Sequence, residues 1–270
     1  MYSMRCFFIL FVKIFCLLAF VNSYAYSIPV KDTSKPNNLI GRIDQLNSQT
    51  EQMIRLDQSV ARIYARQALG QISDLYYPQG LAAIYQNLGS INYYEDNYLK
   101  SIEYLEKACD LYKTIGNNAA LAKATLLLAH SYHLSGNCNK ALELCHQSLS
   151  LWPENINMIG YSNCYNYMGY IHLCQKNYEL AQKYFENSLE IKERIHDENG
   201  IGTVLTNMGT LHYNKGDTAK AEVFFKEAYR ISMDKGDLRQ MANICNSMGE
   251  FYRKKGDYYN ARNSYNETLD

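Results

Sequence analysis

Residues 165–188 read YNYMGYIHLCQKNYELAQKYFENS, and residues 205–228 read LTNMGTLHYNKGDTAKAEVFFKEA. Forty positions on, Met168-Gly169 returns as Met208-Gly209, Lys176-Asn177 as Gly216-Asp217, Ala181 as Ala221 and Phe185 as Phe225. Working outward, the small residue recurs at Gly89, Ala129, Gly169, Gly209 and Gly249. Seven residues after it comes a helix-stop pair: Asp96-Asn97, Gly136-Asn137, Lys176-Asn177, Gly216-Asp217 and Gly256-Asp257. Gly or Asn there supplies a left-handed residue to end one helix, and Asn or Asp can cap the next. Small residues then return at Ser101, Ala141, Ala181, Ala221 and Ala261. Bulky or apolar ones follow at Leu105, Cys145, Phe185, Phe225 and Tyr265, and small ones again at Ala108, Ser148, Ser188, Ala228 and Thr268. Self-similarity at a fixed period of this length is the signature of a repeat architecture.

Within each unit the apolar positions recur at spacings of three and four, so each half reads as an amphipathic helix and the unit as helix, tight turn, helix. The small residues let two backbones approach. Gly89 and its equivalents are expected to face Ala141-type positions, where a larger side chain would overpack the pair at a cost of roughly 1–3 kcal/mol.

The pattern resembles the tetratricopeptide repeat family, whose signature runs W-x2-L-G-x2-Y, then A-x3-F, A and P. Its Trp slot holds Tyr85, Thr125, Tyr165, Leu205 and Cys245 here. The Leu slot holds Leu88, Leu128, Met168, Met208 and Met248, and the Tyr slot Asn92, Tyr132, His172, His212 and Tyr252; the terminal Pro survives only as Pro153. The resemblance implies an all-α fold, a right-handed superhelical solenoid of antiparallel helix pairs. The period exceeds the usual 34 by about 1.7 helical turns, as in the 40-residue variants of the family.

Five units follow: 82–121, 122–161, 162–201, 202–241 and an incomplete 242–270. Residues 41–81 read as a degenerate N-terminal repeat or cap, with Ala61, Ala65 and Ala68 one period before Ser101, Leu105 and Ala108. Residues 26–40, with Pro29 and Pro36, read as a flexible leader. Residues 1–25 have a basic start at Arg5, an apolar run from Cys6 to Val21 broken by Lys13, and Ser23-Tyr24-Ala25. That is the layout of a secretory signal peptide. An uncleaved anchor is the alternative, although the run falls short of the ~20 residues that span a bilayer. Tyr265 and Leu269 look toward a neighbouring helix beyond Asp270, which suggests a piece of a longer protein, since a solenoid end needs a polar cap.

The whole chain balances 27 Lys+Arg against 27 Asp+Glu, and removing residues 1–25 leaves 25 basic against 27 acidic residues. Neither balance carries the basic footprint of a nucleic-acid binder. No Gly-rich phosphate loop, G-x-S-x-G elbow or H-E-x-x-H stands in the sequence. No catalytic, cofactor-binding or metal-binding residue is assigned. His130 and His133 lie one turn apart, which is metal-ligand spacing, but read as a partly exposed pair, while His172 and His212 read as packing groups. Of the cysteines after residue 25, Cys145 and Cys245 occupy core slots. In an oxidising compartment some of Cys109, Cys138, Cys145, Cys164, Cys174 and Cys245 could pair, and spacing does not decide which. The Asn266-Glu267-Thr268 sequon reads as accidental, because Thr268 is a packing slot.

The resemblance places the first helix of each pair on a concave side. The expected lining is Gln86, Asn87, Ser90, Tyr93 and Tyr94, then Lys123, His130 and His133, then Asn163, Asn166 and Tyr170. Thr203, Thr206, Asn207, Thr210 and Tyr213 follow, and last Asn243, Asn246, Glu250, Arg253 and Lys254. Amides carry both a donor and an acceptor, which suits the backbone of an extended peptide, and Tyr adds contact area at small entropic cost. The expectation is a non-enzymatic scaffold for a protein or extended peptide, exported to the periplasm or secreted. It fits the sensor part of a bacterial signalling protein of the histidine-kinase or transcriptional-regulator type. A free-standing envelope scaffold and a peptide receptor are the alternatives. Membrane contact is expected only through an uncleaved N-terminal anchor or a segment beyond Asp270.

Overall fold

The structure, a computed structural model, describes residues 36–73, 75–152 and 158–266. The signal-like segment 1–25, Pro29, Pro153, Thr268 and Leu269 lie outside the described residues. Contacts divide the chain into residues 1–42 and residues 43–270, and all of the repeats belong to the second unit.

Among the described residues there are twelve helices and no strand. Helices α1 (Pro36–Met53) and α2 (Gln58–Ile72) come first. Five pairs follow: α3 (Pro78–Tyr94) with α4 (Tyr98–Thr114), α5 (Asn118–Leu134) with α6 (Cys138–Leu151), and α7 (Met158–Cys174) with α8 (Tyr178–Arg194). Then come α9 (Glu198–Asn214) with α10 (Thr218–Lys235), and α11 (Leu238–Lys255) with α12 (Tyr258–Asn266). Helix α1 begins inside the segment 26–40 read as a leader. Proline at the first helical position gives up no intrahelical hydrogen bond, so Pro36 opens a helix here.

Each pair turns on a left-handed residue: Asp96 (φ 57°), Gly136 (93°), Lys176 (62°), Gly216 (88°) and Gly256 (81°). In two turns Asp96 and Lys176 take the conformation where Gly or Asn was expected. The geometry is held by the next residue's N–H, as in Asn97 to Asn92 O and Asn177 to His172 O, both 2.8 Å, a bond that ties up an orphan carbonyl at the helix end. Asn137, Asp217 and Asp257 then cap the second helix, accepting from the amides of Lys140, Lys220 and Asn260 at 3.1 Å. Asn97 and Asn177 make no side-chain cap bond.

The close approach within a pair differs in detail from the sequence reading. A Cβ on Gly169 would lie 2.6 Å from Phe185 Cδ1, and one on Gly209 2.9 Å from Phe225 Cδ1. The glycine therefore receives the bulky residue of the second helix, with the small residue's carbonyl beside it, Ala181 O at 3.2 Å from the same Gly169 Cβ position. Phe185, Phe225 and Leu105 are buried in consequence.

Successive first helices touch (α3 with α5, α5 with α7, α7 with α9, α9 with α11), whereas no two second helices of these pairs do among the described residues. The first-helix layer is thus the inner one. The fold is an all-α solenoid of antiparallel helix pairs.

Candidate functional site

Asn163 and Asn166 of α7, Thr203 of α9 and Asn243 of α11 line one polar cavity of about 330 Å³. Arg55, Lys192, Asp197, Arg239 and Gln240 also line it. Asn207 Nδ2 donates to Asn166 Oδ1 at 3.0 Å, joining two successive first helices. Gln240 Nε2 donates to Thr203 Oγ1 at 3.2 Å and joins the next two.

Lys192 comes from a second helix, outside the sequence-predicted lining. Tyr112, Trp152, Lys192 and Ser232 fall forty residues apart and all four are buried. The lysine stands in a slot otherwise filled by aromatic or small residues. That departure was the signal in the sequence. Its Nζ donates to Asn163 Oδ1 at 3.0 Å and to Asp197 Oδ2 at 2.9 Å. Burial pushes the Asp197 carboxyl upward, but hydrogen bonds from Lys192 and the Gly200 amide, with the lysine's charge, hold it below the ordinary carboxylate value. Arg55 was also unread. It meets Arg239, whose Nη2 donates to Arg55 O at 3.2 Å across 184 positions.

A second cavity of about 200 Å³ adjoins the first, sharing Ile159 and Asn163. Its wall is mainly apolar, with Leu126, Leu127 and Trp152, and it includes Lys123 and His130. His130 lies in an aromatic row: its ring centroid is 3.6 Å from Tyr167 and 6.2 Å from Tyr93. Its Nε2 is buried with no hydrogen-bond partner. Burial, with the neighbouring His133, lowers its pKa to about 3, so the ring is neutral. His133 is itself buried, with Nδ1 3.0 Å from the Tyr167 hydroxyl. His130 is thus partly exposed, as its spacing led us to expect, while His133 is buried, and both rings are packed against Tyr167. Among the described residues no cluster of His, Cys, Asp and Glu is placed to hold a metal ion. Cys109, Cys138, Cys145, Cys164 and Cys174 are free thiols.

Several other predicted lining residues are placed differently from expectation. Asn87 is 1% exposed and donates to Asn47 O at 3.2 Å, so it ties α3 to α1 instead of facing a groove. Ser90, Thr206 and Thr210 return their hydroxyls to backbone carbonyls one turn back, of Gln86, Gly202 and Thr206, at 2.8–3.1 Å. Tyr213 packs edge-on against Phe251 at 5.4 Å. Glu250 is held at about 2 by hydrogen bonds from Arg253 and Lys254, a self-neutralising surface set. Tyr94, Lys123, Tyr170 and Asn246 are exposed, Tyr93 is half-buried, and burial chiefly pushes the Tyr93 hydroxyl up to about 12. His172 stacks on Tyr184 and His212 on Phe224, at 5.5 and 5.2 Å.

The fold defines a helix-pair repeat protein. The chain carries tetratricopeptide repeats: one family model of that repeat matches residues 161–234, and a second matches 82–115 and 242–270. No curated protein matches the chain. The fold is similar to that of NprR in complex with its cognate peptide NprX, at a TM-score of 0.69 and 15% identity, over 96% of this chain and 73% of that one. It is similar to a Rap protein complexed with competence and sporulation factor, at 0.67 and 14% identity, over 87% and 76% of the two chains. Aspartyl phosphate phosphatase F from Bacillus subtilis aligns at 0.62 and 13% identity, over 89% and 75%. At these identities the likeness is one of fold.

Proposed function

We propose that this chain is a non-enzymatic solenoid that binds an extended peptide along its inner face. The observation that carries this reading is the polar cavity of about 330 Å³, where three successive first helices present Asn163, Asn166, Thr203 and Asn243 together. The Asn166–Asn207 bond uses one donor and one acceptor, so the remaining amide hydrogens and carbonyl lone pairs can take a peptide backbone. That the similarly folded NprR was solved with a cognate peptide supports the same kind of ligand. We propose further that residues 1–25 export the protein to the periplasm or cell exterior, and that peptide capture there serves a sensing role in a longer signalling protein.

The test is selection of a displayed random-peptide library on the full chain, followed by hydrogen exchange of the complex. Added protection in α7, α9 and α11 is expected. Protection confined to second helices, or no enriched peptide, would overturn the reading. N-terminal sequencing of the protein recovered outside the cytoplasm should start at Tyr26; retention inside the cell would sink the export proposal.

A further inference from the structure

Helix α5 has a cavity on each side. Lys123, Leu126, Leu127 and His130 line the one on the inner face, and Leu121, Thr125, Leu128 and Tyr132 line another, of about 310 Å³. At about 100° of turn per residue the two sets fall on opposite sides of the helix. The larger cavity therefore opens on the outer face, where α4 and α6 flank α5 without touching each other.

Its origin lies in the repeat. The first and third units stack two rings across the helix pair, Tyr85 on Tyr104 and Tyr165 on Tyr184, both at 6.1 Å and at interplanar angles of 28° and 27°. In the second unit the same two places hold Thr125 and Leu144, both buried, and both line the cavity. Lys107 lies over both rings of the first unit, and its counterpart Gln147 lines the cavity as well. The fourth unit keeps one ring, Phe224, stacked on His212, and the fifth, described to Asn266, has Cys245 and Ser264. The rim of the cavity carries unpaired charge of both signs. Lys140 is engaged by Glu143 at 2.9 Å and Glu106 by the Tyr132 hydroxyl at 2.7 Å. Asp110 and Lys113 also line the cavity and make no ion pair among the described residues.

We propose that this outer cavity is a binding site for a free aromatic amino acid. The ring takes the place of the missing pair, against Thr125, Leu128 and Leu144. The ammonium meets Asp110 and the carboxylate meets Lys113. The volume stands at the small end of small-molecule sites, which run to about 300–1,000 Å³. Opposite charges at the rim suit a zwitterion, whereas an aromatic side chain within a partner polypeptide brings no charge of its own. The site is separate from the inner face and independent of the peptide reading.

The experiment is saturation-transfer NMR of the full chain with L-phenylalanine, followed by titration calorimetry. Binding of L-phenylalanine is expected. Phenethylamine lacks the carboxylate, 3-phenylpropionate the ammonium and L-leucine the ring, and each should bind about tenfold more weakly. The T125Y/L144Y chain, which installs the tyrosines of the first and third units, should fold, lose the site and keep its inner-face peptide binding. D110N/K113M, both positions being exposed, should weaken binding about tenfold with an unchanged urea midpoint, and decides the matter should the tyrosine pair disturb the fold. No binding of L-phenylalanine, or undiminished binding by either folded variant, overturns the inference. N-acetyl-phenylalaninamide bound as tightly as the free amino acid also overturns it, and marks the cavity as a seat for a side chain of a polypeptide.

Discussion

Asn207 Nδ2 lies 3.0 Å from Asn166 Oδ1, and the two residues stand 41 positions apart, one more than the period of the repeat. A comparable pair at the other end, Asn87 and Asn47, stands one full period apart and is buried: Asn87 Nδ2 donates to Asn47 O at 3.2 Å, and both side chains are shut from solvent. The same residue type therefore stitches repeats in one place and remains half-open in another.

The two amides should respond differently to removal. Asn207→Ala loses a half-exposed neutral hydrogen bond and is expected to cost roughly 0.5–1.5 kcal/mol. Asn87→Ala takes the Nδ2 donor from the buried Asn47 Oδ1, 3.4 Å away, and should cost more, about 1–3 kcal/mol. Urea unfolding of the two variants decides it, and equal midpoints would contradict the burial contrast.

Gly169→Ala is expected to destabilise by roughly 1–3 kcal/mol through overpacking, because the added methyl meets Phe185 Cδ1 at 2.6 Å. The second repeat already carries the compensated version. Ala129 replaces the glycine there, and the facing slot holds Cys145, both fully buried in one cluster. The double substitution G169A/F185C should therefore lose less than the sum of its single variants. Thermal unfolding of the four proteins closes the cycle, and strict additivity would refute the pairing.

Those small-residue slots made the fold legible. Gly89 through Gly249 and the turns at 96, 136, 176, 216 and 256 fix the helix pairs without any long-range information. The groove was less legible, for three reasons. Asn87 and His133 carry the polar pattern of lining residues, yet their burial depends on what Asn47 and Tyr167 place beside them. Lys192 sits on a second helix, so only its departure from the Tyr112–Trp152–Ser232 slot marks it. Arg55 reaches Arg239 across 184 positions, a contact set by how repeats accumulate and by no feature of a single repeat.

Lys192→Ala should be costly, because it leaves Asp197 and Asn163 without their donor in a largely closed setting. Breaking one side of a buried pair costs roughly 3 kcal/mol. Lys192→Met, matching the apolar character of the same slot at Tyr112 and Trp152, should recover part of that loss once Asp197→Asn removes the orphaned charge. Urea midpoints of K192A, K192M and K192M/D197N test this. A K192M/D197N chain no more stable than K192A would show that the slot needs the amine itself.

Acid should loosen the solenoid through histidines that packing draws away from water. His130 is lowered from 6.5 to about 3 by burial and by its neighbour His133, and burial also lowers His133, His172 and His212. A histidine whose folded value lies below its unfolded one is protonated first in the unfolded chain. Stability is therefore full above pH 6.5 and declines as pH falls from there toward 3. Asp197, Asp217 and Asp257 are also lowered, and their contribution is lost on acidification too, but only below the ordinary carboxylate range. The window from pH 6.5 to 5 isolates the histidines. In it each such fully unprotonated histidine adds a limiting slope of about 1.4 kcal/mol per pH unit. Replacing His130 with Gln keeps a polar side chain and removes the titration, so the H130Q chain should show a shallower decline of urea midpoint between pH 6.5 and 5. Identical slopes in the two proteins would mean that His130 takes up its proton without unfolding, and that its ring is less enclosed than its contact with Tyr167 implies.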